Sequence, residues 1–268
     1  MKASPYSRLK RWRKRAKWLL ITVIGVSAVL YPFWPKTPQP DAVAPDAPSP
    51  VSRIPDFDRF SDVKQKKRAF FQYLQPVIEK QNERILEQRL FVLAVREIWR
   101  AGETLTPIQN SRLETLAEHY EVAVPDTDAG LTPLLERLDI VPEALVLVQA
   151  ANESAWGTSR FARQGYNFFG MWCFSRGCGF VPKQRNQGAS HEVAKFDSLE
   201  QAVAAYLHNI NTNSAYADLR TIRARLRQLQ RSVKAERLAQ GLMRYSQRGQ
   251  AYIDELLLMI RINRKYFS

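Results

Sequence analysis

From Asp56 onward the apolar residues fall at three- and four-residue intervals, the period of a helix buried along one face. Phe60, Val63, Phe70, Phe71 and Leu74 begin the pattern. Val77, Ile78, Ile85, Leu86, Leu90, Leu93 and Ile98 continue it, with Glu and Arg opposite. Thr106-Pro107 and Thr132-Pro133 each read as an N-cap followed by proline at the first helical position, so a short helix is predicted after each. Another is predicted from Pro142 to about Asn152; Leu145, Val146, Leu147 and Val148 make it apolar nearly all round, as suits a central buried helix. Residues 157–188 break the period with glycines and aromatics. Gly179-Phe180-Val181 and residues 191–196 then predict a hairpin across Arg185-Asn186-Gln187-Gly188. Helix resumes after Ser198, with Ala202, Val203 and Tyr206 on one face. Ile222, Leu226, Leu229 and Val233 mark a further helix, and Tyr252, Ile253, Leu256, Leu257 and Ile260 the last. The expectation is a mainly α, α+β domain over residues 56–268 with a small β-hairpin lobe, its first part (about 56–130) a helical extension.

The N-terminus follows another pattern. Residues 18–34 carry no charge, with Trp18 at one end and Tyr31, Phe33 and Trp34 at the other. Length and aromatic flanks fit a transmembrane helix, and the basic residues of 1–17 orient it with the tail in the cytoplasm. Val26-Ser27-Ala28 leaves a cleaved signal peptide open. Either reading exports the body. In residues 35–55 the density of proline predicts an extended linker reaching roughly 60 Å at ~3.1 Å per residue.

Composition sharpens this. The chain has 40 Lys and Arg against 26 Asp and Glu, a net charge of +14. Eight positive charges lie between Lys2 and Lys17, leaving +6 for the rest. A basic body suits an anionic partner such as cell wall, lipid headgroups or nucleic acid. Arg220, Arg223, Arg225, Arg227 and Arg231 lie beside an apolar stripe and read as a solvated helix face; with the body exported, no nucleic-acid partner is expected. Cys173 and Cys178 close a short loop; a disulfide across it, which an oxidising compartment permits, and two free thiols, one of them buried, are both open.

Several chemistries lack their residues. His119, His191 and His208 are isolated, His191-Glu192 has no second histidine four residues on, and no phosphate loop or serine elbow occurs. Neither metal nor cofactor is expected. Glu153, at the end of the most apolar helix, is the candidate acid. Val146, Gln149 and Ala150 share its face and Trp156 follows within a turn. A carboxyl held against apolar atoms has its charged form disfavoured and can donate a proton near neutral pH. A plain solvated helix-terminal Glu is the competing reading.

Resemblance favours the first. Gln149-Ala150-Ala151-Asn152-Glu153-Ser154-Ala155-Trp156-Gly157, followed by Ser159-Arg160-Phe161-Ala162 and Tyr166-Asn167-Phe168-Phe169-Gly170-Met171, resembles the glucosaminidase-type peptidoglycan hydrolases. Residues 193–202 and the Tyr245…Tyr252 spacing resemble later parts of that family, and residues 66–71 and 81–85 its Bax-like subgroup. The resemblance covers about 60–268. It implies a lysozyme-like fold with a cleft between α and β lobes, acting on the β-1,4 bond between N-acetylglucosamine and N-acetylmuramic acid. Glu153 maps onto the family's general acid, and Glu192 is the hairpin acid available as a second carboxylate. Tyr245 and Tyr252 map to orienting the sugar N-acetyl group. Ser154, Trp156, Asn167 and Phe168 are the remaining candidate substrate contacts, with Phe168 and Phe169 packing the cleft floor. Ser246-Gln247-Arg248 stands where the family usually has Thr-Asp-Pro. A lytic transglycosylase and a wall-binding scaffold are the rival readings. The implied partner is the peptidoglycan strand and the implied place the periplasmic face of a bacterial inner membrane, anchored through 18–34.

Overall fold

The computed structural model describes residues 54–182 and 191–267. Among these no helix is long and apolar enough to cross a membrane; the tail, span and linker expected in 1–53 lie outside the described residues, apart from the linker's last two positions.

The long amphipathic pattern is one helix, α1 (Val63–Arg100), about 57 Å long. The Asp62 side chain caps it, accepting from the Lys64 N–H at 2.6 Å. It continues through Pro76, which forfeits one backbone bond. Its buried stripe runs from Phe70 through Leu74, Ile78 and Ile85 to Val95; Leu86 and Leu90, expected inside, are 41% and 56% exposed. Helix α2 (Pro107–His119) starts with the expected proline and a reciprocal capping box between Thr106 and Gln109. The expectation fails at Thr132-Pro133: α3 (Leu131–Arg137) begins at Leu131 behind Gly130, so that threonine is helical and caps nothing.

The central helix α4 spans Glu143–Glu153, and every residue from Leu145 to Ala151 is buried. Asn82 of α1 fixes its entry: Nδ2 donates to the Val141 carbonyl at 2.9 Å and Oδ1 accepts from the Val141 N–H at 3.3 Å. A short α5 (Arg160–Gly165) follows. Strands β1 (Trp172–Cys173), β2 (Gly179–Phe180) and β3 (Glu192–Ala194) form an antiparallel sheet in the order β1-β3-β2. The predicted pairing of β2 with β3 is present, with Phe180 opposite Val193; β1 adds a third strand, with Trp172 also opposite Val193.

Helix α6 (Leu199–Thr212) starts at its Ser198 cap. Helix α7 (Ala217–Gln228) stops before Leu229, so Leu229 and Val233 are not helical as expected. A short α8 (Ala235–Ala239) and a long α9 (Gln250–Asn263) complete the fold. Helices α1, α8 and α9 pack around α4, which makes it the axis of the core. The arginines of α7 depart most from expectation: Arg220 and Arg223 are buried.

Candidate active site

Helix α4 ends on Glu153, and the next turn is unusual. Ala155, Trp156 and Gly157 have φ of 50°, 60° and 78°, three successive left-handed residues. Such a turn is costly for the two non-glycine residues and persists only where the surroundings enforce it. Ser154 does much of this: its hydroxyl donates to the Ala150 carbonyl at 2.6 Å and accepts from the Gly157 N–H at 2.8 Å. Gly157 has no room for a side chain, because a Cβ there would sit 2.3 Å from the Phe57 ring. Ser154, proposed as a substrate contact, is instead a fully buried clamp on this turn.

The turn also redirects Trp156. Its ring lies edge-on to Phe70 and Phe71 with the Lys67 ammonium 4.8 Å above it, and it does not line the cleft. The expected pressure of Trp156 on Glu153 is therefore supplied by other groups. Glu153 opens into a cleft of about 290 Å³ shared with Phe169, Gly170, Met171, Trp172, Phe174, Tyr206, Asn209, Asn213, Tyr216 and Tyr245. Glu153 is its only acidic lining residue among those described.

A relay of buried hydrogen bonds holds the carboxyl. Tyr206 Oη donates to Gln149 Oε1 at 2.6 Å, Gln149 Nε2 donates to Tyr252 Oη at 3.2 Å, and Tyr252 Oη donates to Glu153 Oε1 at 3.0 Å. Gln149 is the residue expected one helical turn back from Glu153. Tyr245 stacks on Tyr252 with rings 5.3 Å apart and donates to the Phe169 carbonyl at 3.0 Å. Phe169 stacks on Tyr206 at 4.1 Å, giving the expected aromatic floor. Burial lifts the Glu153 carboxyl above its usual range; the Tyr252 hydroxyl pulls it down, the Glu255 charge pushes it up and Arg248 opposes that. Burial likewise keeps the Tyr252 phenol protonated, so it remains a donor.

The sign of that hydrogen bond makes a prediction. Tyr252→Phe removes a donor that favours the carboxylate, so Glu153 should hold its proton to higher pH. For a general acid, activity is lost as pH rises through its pKa. The alkaline limb of the pH–rate profile should therefore move upward, with a rate fall of about tenfold from poorer positioning. A downward or absent shift would show that Tyr252 does not set the protonation of Glu153.

The other candidates lie elsewhere. Asn167 spends its amide on the backbone: Nδ2 donates to the Met171 and Ala194 carbonyls and Oδ1 accepts from the Met171 N–H, all at 2.9 Å. It holds the turn that aims Phe169 and Gly170 at the cleft. Phe168 is wholly buried against Phe70 and Tyr73 and touches no substrate space. Glu192 does not join Glu153. It is 4% exposed on β3, and its two oxygens accept from the Gly177 and Gly179 N–H groups at 3.0 and 2.8 Å. That engagement ties it to the loop closed by the Cys173–Cys178 disulfide. The two sulfurs and the Glu192 carboxylate approach within 4.8 Å, but sulfurs bonded to each other offer no thiolate to a metal.

Tyr216, Asn209 and Asn213 also line the cleft, and they belong to no motif in the sequence. Tyr206 and Asn209 share a face of α6 and Asn213 caps its end, a polar spacing of three and four residues that is the available signal of a lined groove. Glu255 was hidden too: it receives the Asn152 amide at 3.4 Å and the Arg248 guanidinium at 2.7 Å.

Residues 131–264 match the family model described as Glucosaminidase, mannosyl-glycoprotein endo-beta-N-acetylglucosaminidase. The chain is 32% identical over 219 residues to Protein bax of Escherichia coli (strain K12), an alignment covering 81% of this chain and 77% of that protein. No solved structure matches.

Proposed function

The chain belongs to the glucosaminidase family, and from that premise we propose that it is a peptidoglycan hydrolase, an endo-β-N-acetylglucosaminidase that cuts the β-1,4 glycan bond with Glu153 as general acid. The observation that carries this is the Glu153 carboxyl, raised by burial and aimed into a cleft walled by tyrosines, with Tyr252 fixing one oxygen. The α-rich body with a small sheet beside that cleft suits a lysozyme-like fold.

In this mechanism protonated Glu153 gives its proton to the glycosidic oxygen as the bond to the anomeric carbon breaks. The positive charge developing on the sugar ring needs an electron donor on its other side. Glu192 is turned away on its strand, and no other described acid lines the cleft. That favours participation by the substrate's own N-acetyl oxygen, which bonds to the anomeric carbon as the leaving oxygen departs; water then displaces it there and gives its proton to Glu153, a route needing one protein acid. The Tyr245 and Tyr252 hydroxyls, expected to orient that group, donate instead to the Phe169 carbonyl and to Glu153, and Asn209, Asn213 and Tyr216 on the cleft wall are the polar groups left to meet it.

Product analysis tests the assignment. Mass spectrometry of digested sacculi should find new reducing N-acetylglucosamine ends. Anhydro-muramic ends would identify a lytic transglycosylase, and binding without cleavage a wall-binding scaffold. We also place the domain in the periplasm, anchored through 18–34 with residues 1–17 in the cytoplasm; the charge asymmetry and aromatic flanks of that segment support it. Protease added to intact spheroplasts should digest the domain while an N-terminal fragment stays with the membrane. Full protection would reverse the orientation.

A further inference from the structure

The β lobe carries a feature that general acid chemistry does not use. Trp172 and Phe174 are 50% and 77% exposed, yet both line the cleft that holds Glu153. Large aromatic rings left in water are unfavourable unless something covers them. Trp172 lies in β1 and Phe174 just past its end, and both face the same cleft, while Cys173 between them is held by its disulfide.

The far side of that strand is built to keep the pair still. Cys173 is bonded to Cys178, closing a loop that contains Phe174. Glu192 receives the N–H groups of Gly177 and Gly179 and fastens the same loop to β3. Gly179 passes so close to β3 that a Cβ would meet the Val193 backbone. The His191 ring lies edge-on to Trp172 at 4.2 Å and supports it. A disulfide, a buried carboxylate and a glycine contact thus restrain a loop whose aromatic rings stand exposed in the cleft.

We propose that Trp172 and Phe174 form a rigid sugar-stacking wall that seats the glycan strand beside Glu153, and that the Cys173–Cys178 disulfide with Glu192 holds this wall in place. Pyranose rings offer apolar C–H faces to aromatic rings, and binding loses least entropy when the rings are fixed beforehand. Glu192 is then a positioning residue for substrate binding. The inference rests on the reading of Glu153 as the acid of a glycan-cleaving site.

The test is binding of a peptidoglycan tetrasaccharide of alternating N-acetylglucosamine and N-acetylmuramic acid to the full chain carrying Glu153→Gln, measured by calorimetry. Trp172→Ala and Phe174→Ala should each weaken binding about tenfold, and Trp172→Phe should restore most of the loss. Cys173→Ser with Cys178→Ser should weaken it in the same direction, as should Glu192→Gln. In the catalytically intact chain Trp172→Ala should raise KM by more than it lowers kcat. Alanine variants that bind as tightly as their parent, with unchanged melting, would overturn the wall. A parent that binds no tetrasaccharide would overturn the glycan-cleaving reading as well.

Discussion

Glu153→Gln should lower cleavage of purified peptidoglycan by at least 100-fold while leaving the protein folded and able to bind the wall. The glutamine keeps the side chain's shape, and its carbonyl oxygen can still accept from Tyr252 Oη. It has no proton of useful acidity, so departure of the leaving sugar oxygen goes unassisted. A 100-fold loss corresponds to about 2.7 kcal/mol of transition-state stabilisation, within what general acid catalysis supplies. Stability should not fall with activity. Burial raises the Glu153 carboxyl, so at neutral pH its charged form is a burden on the folded state and a neutral amide removes it. The expected pair of results is a melting temperature equal to or above the parent's and a near-silent dye-release assay. Activity within a few-fold of the parent would remove Glu153 from the mechanism. Low activity with a lowered melting temperature would point to a structural role.

What the sequence revealed about this site follows from how far apart the cooperating residues lie. Glu153, Gln149 and the apolar run before them belong to one helix, and helical periodicity showed them directly. The Tyr245–Tyr252 pair was legible by family spacing, and the structure stacks the two rings. Trp156 departs from its expected place because three left-handed residues swing it away from the acid; only Gly157 signals that turn, and one glycine does not specify its neighbours. Ser154 looked like a polar group facing substrate, yet its partners are backbone groups within four residues. Glu192 lies on the expected hairpin but does not face Glu153, because its partners are the amides of a loop more than ten residues upstream. Strand β1 has two residues, too few for alternation to be seen. The arginines of α7 depart from expectation because Arg223 and Arg227 find partners more than 80 residues earlier, while Arg220 turns back onto the Ile210 and Asn213 carbonyls that precede its own helix.

Those arginines carry the second large effect: Asp139→Ala should destabilise the domain by about 3–5 kcal/mol, the usual penalty for removing one partner of a buried charge cluster. Asp139 is 1% exposed between α3 and α4. Its carboxylate takes Arg227 through two bonds of 2.9 and 2.8 Å and has Arg89 at 3.6 Å. Its backbone carbonyl accepts from Arg223 at 2.9 Å and from Asn211 at 3.1 Å. Arg223, also 1% exposed, donates in addition to the Glu136, Arg137 and Ile140 carbonyls and to Asn211 Oδ1. Burial lowers its guanidinium only to about 10, so it stays charged at neutral pH. Without Asp139 the cluster has three arginines and no carboxylate against them. The segment they hold leads into α4, so its loosening should also reach Glu153. The pH dependence has a definite sign. Desolvation pushes the Asp139 carboxyl up, but the Arg227 hydrogen bonds and the Arg223, Arg89 and Arg227 charges outweigh it and leave the value depressed. A depressed carboxylate stabilises the fold above its unfolded pKa and loses that contribution as pH falls through the folded value. Urea unfolding should therefore show the full gap between parent and Asp139→Ala at pH 7, narrowing below about pH 4. A gap under about 1 kcal/mol at pH 7 would mean that the carbonyl ring around Arg223 holds this segment without its counter-ion.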